Sequence, residues 1–225
     1  MNILAMDTST STLSLALVKK DRMVSYRNLA VNRRMADVMM PRIVKYLDTN
    51  GLSLKKIDAY IVGLGPGSFT SLRVGVSTIK GLCFGLDVPV IGIPSLDALA
   101  MAVGETDKEL CVITDARRGL LYSARYRWTG NGPERAGDYQ LLPWKEVRQA
   151  VTKPALFAGD AVALHQEEIV KSFGKEAALT ATKYQYPQAR FLMPLGLRRL
   201  LGGETDEAAA LEPLYLYAED CQVRK

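Results

Sequence analysis

Histidine is nearly missing: His165 is the single one among 225 residues. Two imidazoles cannot share a metal ion here, and a histidine-based catalytic triad would have to use this one residue. Cysteine is sparse as well. Cys83, Cys111 and Cys221 are odd in number, widely spaced and without a CxxC, so reduced, mostly buried thiols are expected rather than disulfides or a zinc site. The longest apolar runs, such as Ile61–Val62 or Val88–Ile93, are of strand length and far short of a membrane span, so no membrane partner is expected. The opening MNILAMDTS has neither the basic start nor the long apolar core of a signal peptide, which makes residence in the cytoplasm the expectation.

What is there is an ordinary globular composition. Hydrophobic residues make up 48% and charged residues 24%, and the length suits one large domain or two small lobes, each with its own core. The net charge of +5 permits an acidic partner. The basic residues are dispersed, with Arg33–Arg34, Arg117–Arg118 and Arg198–Arg199 the only tight arginine clusters, and solvated surface charge is the simpler reading.

Along the chain, Asn2 to Asp7 (NILAMD) is an apolar run ending in an acid, followed by the turn TSTST and the alternating strand Leu13 to Val18. Met23 to Leu29 extends this into an antiparallel meander. Asn32 to Leu47 has helical spacing and stops at Asn50–Gly51. Ile57 to Leu64 reads as a buried strand, Leu72 to Phe84 as a helix, Val88 to Ile93 as a strand, and Ser95 or Asp97 as the cap of a third helix. Then the pattern restarts: ELCVITD, a short turn ARRG and LLYSARYRW repeat the strand–Asp–turn–strand unit. Thr129 to Asp138 reads as loop, LFAGD as a strand into a turn, and Ala189 to Leu201 as an amphipathic helix ended by Gly202–Gly203. This predicts an α/β chain of two similar lobes, residues 1–104 and 105–225, joined near Gly104–Lys108, with the tail packing back on the first lobe. Paired hairpins of this kind point to the two-lobed actin/Hsp70/sugar-kinase-like (ASKHA) fold with duplicated ribonuclease-H-like lobes, in which ligands sit between lobes.

Two constellations carry candidate chemistry. Asp7 could help bind a metal–phosphate unit, with hydroxyls of Thr8, Ser9 and Thr10 on the phosphate oxygens; an Asx-type turn is the alternative. Asp115 has the same two readings, beside Arg117 and Arg118. The stretch GLGPGSFTSLRVG (residues 63 to 75) looks like a phosphate cradle, yet it lacks the Gly-Lys-Ser/Thr ending of a Walker A loop and the GxGxxG spacing. Gly67, Ser68, Thr70 and Arg73, at the start of a helix, could attract an anion; a tight turn with a helix cap explains them equally well.

These residues also carry a resemblance. GPGSFTSLRVG is very similar to the GPGSFTGLRIG signature of the TsaB (YeaZ) family, and ILAMDTST, TDARRGLLY, LFAGD and EPLYL agree at matching positions, so the resemblance spans essentially the whole chain. It implies a non-catalytic paralogue of TsaD, required for threonylcarbamoyl modification of the tRNA adenosine beside the anticodon. TsaD would transfer the group, TsaE would add ATPase function, and tRNA would be reached indirectly through the complex. The TsaD branch is recognised by a metal-binding HxxxH pair; here Arg34-Met35-Ala36-Asp37-Val38-Met39 holds no histidine, and no metal site is expected. No cofactor is expected for this chain alone, with ATP or ADP and Mg placed at the complex interface. Relatives often carry His, Gly and Arg where Met35, Ser71 and Tyr217 stand.

In the first helix, Ala36, Met40, Ile43 and Leu47 form a core-facing stripe, leaving Met35, Val38, Met39 and Tyr46 as a second apolar stripe interrupted by Arg42. Flexible thioethers suit a docking surface. The resemblance implies that this helix and the next pack on the equivalent pair of TsaD, or on a second copy in a homodimer, with Met35, Val38, Met39, Arg42, Leu72, Val76 and Ile79 as contacts. Val76→Arg with Met39→Glu is then expected to abolish TsaD binding in a folded monomer. The competing reading is an active small-molecule kinase or ATPase using Asp7 and Asp115 with Mg-bound nucleotide. Direct tRNA binding by the dispersed arginines would show as salt-dependent affinity.

Overall fold

The structure, a computed structural model, describes residues 1–180 and 185–217. Strands β1 (Ile3–Asp7), β2 (Thr12–Lys19) and β3 (Arg22–Ala30) form the expected antiparallel meander. Then come α1 (Met35–Thr49), β4 (Ala59–Gly63), α2 (Phe69–Leu86), β5 (Val90–Ile93) and α3 (Ser95–Val103). The second half supplies β6 (Glu109–Asp115), β7 (Leu120–Thr129), β8 (Gly132–Arg135), β9 (Gln140–Pro143), α4 (Trp144–Ala150), β10 (Ala155–Ala158), α5 (Ala161–Leu164), α6 (Gln166–Phe173), β11 (Ala177–Leu179) and α7 (Ala189–Leu201).

The first sheet runs β3-β2-β1-β4-β5, and the second runs β8-β7-β6-β10-β11 with β9 pairing β7 beside β8. Each is an antiparallel three-strand meander extended by two parallel strands, so the duplication legible in the hairpins extends to the whole strand order. Thr129 to Asp138 is not all loop. Thr129 pairs with Gly132 around Gly130–Asn131, a two-residue hairpin turn of the kind glycine and asparagine favour.

Period-two alternation sorts the first sheet's side chains. Leu4, Met6, Leu15, Tyr60 and Val62 face α1 and α2, while Ile3, Ala5, Ala16, Ala59 and Ile61 face α7. Burying both faces is what makes these strands read as near-continuous apolar runs. Ala189, Leu192 and Met193 of α7 pack on the second face, each large side chain contributing about 1.5–3 kcal/mol. Gly196 lets α7 close on β4, because a Cβ there would stand 2.5 Å from Ile61 Cδ1. The Ala189 amide donates to Ser14 Oγ at 2.8 Å, which caps the helix from the sheet.

Residues 105–225 therefore do not stay together as one lobe. One compact unit comprises Met1–Ala98 with Pro187–Leu214, the other Leu99–Tyr186 with Tyr215–Lys225. The boundary falls within α3 rather than near Gly104–Lys108, and residues 187–214 rejoin the first unit because α7 covers its sheet. The segment after α7 stays with that sheet: Asp206 accepts from the Gly92 amide and pairs with Arg199, and the Leu214 amide donates to Leu64 O.

In the second unit α4, α5 and α6 pack around Phe157, whose ring meets Trp144 at 5.9 Å and Phe173 at 5.0 Å. Cys83 and Cys111 are free and buried, and burial pushes their thiols up to about 11 and about 12, out of nucleophilic range. Cys221 lies outside the described residues. Among the described residues no helix is long and apolar enough to cross a membrane.

Candidate functional site

The end of β1 delivers Asp7 into the interior, where it is 1% exposed. Its Oδ1 accepts from the Ser9 amide at 2.8 Å and from Ser9 Oγ at 2.6 Å, and Oδ2 accepts from Ser95 Oγ at 2.6 Å. Burial pushes this carboxyl above the usual carboxylate range, against the pull of its Ser9 and Ser95 hydrogen bonds. This is an Asx turn with a third donor added from the start of α3. Ser95 therefore does not cap α3 through its side chain; it also accepts from the Gly65 amide at 3.0 Å.

The glycine loop closes over this turn. A Cβ on Gly63 would stand 2.0 Å from Asp7 Oδ2, one on Gly67 2.1 Å from Ser9 O, and one on Gly75 2.2 Å from Thr8 Oγ1. The Ser68 amide donates to Ser9 O at 2.7 Å, and Thr8 Oγ1 donates to Ser71 O at 3.0 Å. Gly63, Gly67 and Gly75 thus make room for the DTS turn. α2 starts at Phe69, so Ser68 is the cap position and makes no side-chain cap bond, while Thr70 and Ser71 already lie in the first turn.

The sequence-predicted anion residues are not gathered into one open site. Thr8 and Ser9 are 1% and 3% exposed, whereas Ser68, Thr70 and Arg73 face outward, with Arg73 stacked 3.8 Å over the Phe69 ring. Asp7, with both oxygens engaged and no exposed edge, does not fit a metal–phosphate unit. Among the described residues no three His, Cys, Asp or Glu side chains gather closely enough to hold a metal ion.

Asp115 belongs to the second unit and makes the matching turn, accepting from the Arg117 amide at 2.8 Å and pairing with the outward-facing Arg117 guanidinium at 3.3 Å. The Asp115 amide in turn donates to Asp160 at 2.9 Å. Burial raises the Asp160 carboxyl, with the nearby Asp115 charge adding to it and the Asp115 amide opposing. Gly159 is needed here as Gly63 is in the first unit: its φ is +110° and a Cβ would stand 2.0 Å from Ile113 O. Sequence reasoning gave neither Ser95 nor Asp160 this supporting role, although LFAGD places an acid one residue past a glycine that ends a strand. His165 stacks on Trp144, with ring centroids 5.6 Å apart, and its Nδ1 meets Glu168.

The expected docking stripe needs correction. Met35, Met39, Leu72, Val76 and Ile79 are core residues, at most 5% exposed; Val38 and Arg42 are half-buried. The stripe on α1 is rotated by one residue: Met35, Met39, Ile43, Tyr46 and Leu47 face the sheet, and Ala36 is exposed. Two apolar stripes compete on this helix, and spacing alone does not say which one the sheet covers. Val76→Arg and Met39→Glu would therefore strike the core. What the α1–α2 pair does leave outside is Val44 and Phe84, 38% and 67% exposed, with half-buried Met40 and Val74 and the open backbone of Gly81 and Gly85. Met35 is thus buried; Ser71 Oγ accepts from Ser68 Oγ; and the Tyr217 hydroxyl donates to Ala116 O at 2.7 Å within the second unit.

Two sheets of one strand order, each with an Asp turn at the end of its first strand, define a two-lobed ASKHA chain with ribonuclease-H-like lobes. The family model described as TsaD: tRNA N6-adenosine threonylcarbamoyltransferase matches residues 29–224. Proteins named tRNA threonylcarbamoyladenosine biosynthesis protein TsaB are similar over nearly their full lengths: that of Bacillus subtilis is 28% identical, covering 100% of this chain and 97% of the relative, and that of Haemophilus influenzae 30%, covering 97% and 94%. The solved structure of YeaZ from Pseudomonas aeruginosa matches with a TM-score of 0.80 at 28% identity, covering 96% of this chain and 99% of that one. The chain belongs to the TsaB (YeaZ) branch of this family.

Proposed function

We propose that this chain is a non-catalytic supporting subunit in the threonylcarbamoyl modification of tRNA, holding a TsaD-type transferase competent in the cytoplasm alongside TsaE. The observation that carries the reading is the Asp7 turn: the one acid placed to hold a metal–phosphate unit in the first unit is buried and fully engaged by Ser9 and Ser95. A nucleotide with Mg belongs, in this reading, to the junction with the partner and not to this chain alone. The outer side of the α1–α2 pair is the docking face, offering Met40 and Val44 from α1 and Val74 and Phe84 from α2. Without TsaD the same face pairs two copies of the chain.

Reconstitution with TsaD, TsaE and preformed threonylcarbamoyl-adenylate, with and without this chain, tests the role; full modification in its absence overturns it. Val44→Glu with Phe84→Glu tests the face. Both sites are exposed, so thermal unfolding is expected to stay unchanged while co-purification with TsaD is lost. Retained co-purification would place the contact elsewhere. Micromolar ATP–Mg binding with turnover by the isolated chain would favour the kinase reading instead.

A further inference from the structure

A groove of about 480 Å³ runs between edge strand β3 and helix α1. Arg27 comes from the strand; Arg42, Lys45 and Tyr46 come from successive turns of the helix. Arg42 donates to Ala30 O at 3.0 Å and Arg27 to Tyr26 O at 3.3 Å, so backbone carbonyls orient both guanidinium groups. No carboxylate among the described residues pairs with Arg27, Arg42 or Lys45. Tyr46 lines the same groove, 6% exposed, with its hydroxyl buried beside Ser25 and Arg27.

The charge of the surrounding chain points the same way. Residues 19–45 hold eight Lys and Arg against two Asp, a net of +6, whereas the whole chain nets +5. The positive excess that looks dispersed in sequence therefore belongs to one stretch, the β2–β3 hairpin and the first turns of α1. Of its two acids, Asp21 pairs with the amino terminus at 2.8 Å and Asp37 with Arg34 at 3.1 Å.

We propose that this groove binds RNA directly through its backbone phosphates, with Arg27, Arg42 and Lys45 as the cationic contacts. Arginine forks match phosphate oxygens bidentately, and a groove lined by cations with no acid facing them suits a polyanion better than a mixed-charge protein surface. The choice of RNA rests on the tRNA-modification reading; the groove and its charge do not. Arg42 then serves RNA rather than the TsaD contact expected of it, and tRNA contact is direct instead of only through the complex.

The test measures binding of an unmodified tRNA transcript to the full chain by fluorescence anisotropy across a salt series. Arg27→Gln, Arg42→Gln and Lys45→Gln together are expected to weaken binding about tenfold or more and to make the log–log salt slope shallower by about 2. Arg27→Lys with Arg42→Lys is expected to keep the slope, which separates lost charge from lost fold. Unchanged affinity and slope in the triple variant overturn the proposal. So does displacement of tRNA by AMP, which would make this a mononucleotide site, or by poly-glutamate of matched charge, which would make it an acidic-protein site. Failure here leaves co-purification with TsaD untouched, whereas failure of the scaffold reading shows in reconstitution and leaves these affinities as they are.

Discussion

The two units share a strand order and differ in the helices that connect their strands. In the first, the meander and β4 lead into helices of 15 and 18 residues, α1 and α2. In the second, the corresponding helices are α4, with 7 residues, and the broken pair α5 and α6, with 4 and 8. The Asp turns differ in the same sense. Asp7 is sealed by Ser9, Ser95 and a glycine loop packed against it, while Asp115 leans on Asp160 and an outward-facing arginine. A duplicated scaffold has thus been specialised by its helices and turns. The first unit carries the long helix pair with exposed apolar positions, and its potential ligand turn is closed to support them.

The comparison is most easily broken at Gly63, which ends β4, and at Gly159, which follows β10. Gly159→Ala is expected to cost about 3 kcal/mol or more, because its Cβ meets the fixed Ile113 carbonyl at 2.0 Å and its φ of +110° suits glycine alone. Gly63→Ala is expected to cost about 2–3 kcal/mol, since its Cβ meets a carboxylate side chain that has some room to turn. Urea unfolding gives both values. A harmless Gly159→Ala would mean that the second junction is far looser than the first.

A smaller effect separates the acids themselves. Asp7→Asn keeps an oxygen for the two Ser9 donors but turns an amide donor on the Ser95 hydroxyl in a buried site, and is expected to cost about 2 kcal/mol. Asp115→Asn keeps most of its turn and loses only a surface pair, for about 0.5 kcal/mol. Equal losses would remove the distinction between a sealed and an open turn.

The smallest effect is on pH dependence. Both Asp7 and Asp160 have carboxyls raised by burial, so between the ordinary carboxylate pKa and the raised one the folded chain holds protons that the unfolded chain has released. Their contribution to stability therefore falls as pH rises through that window. The urea midpoint of Asp7→Asn is expected to change less with pH from about 4 upward than that of the native chain. Parallel curves would show that Asp7 is not shifted.

Much of this was legible in one dimension. Runs such as NILAMD, LSLALV and AYIVG announce strands because each buries both alternate faces, and the restart at ELCVITD announces the duplication. The family was legible in GPGSFTSLRVG, and the single histidine rules out a pair of imidazoles sharing a metal ion within this chain. The face of α1 was not legible, because Met35, Met39 and Met40 satisfy two stripes equally until a sheet covers one. Nor was the basic groove. Arg27 and Arg42 stand 15 positions apart and become neighbours only when edge strand β3 lies along α1.

By itself, then, the sequence determined the elements, their duplication and the family, because periodicity and motif spacing are local properties of a chain. Tertiary structure alone decided that α7 returns to the first sheet, that the glycine loop packs on a neighbouring turn, and that scattered arginines form one groove. Each of those depends on which distant surfaces meet. No local pattern encodes that, because burial is settled only when both partners are in place.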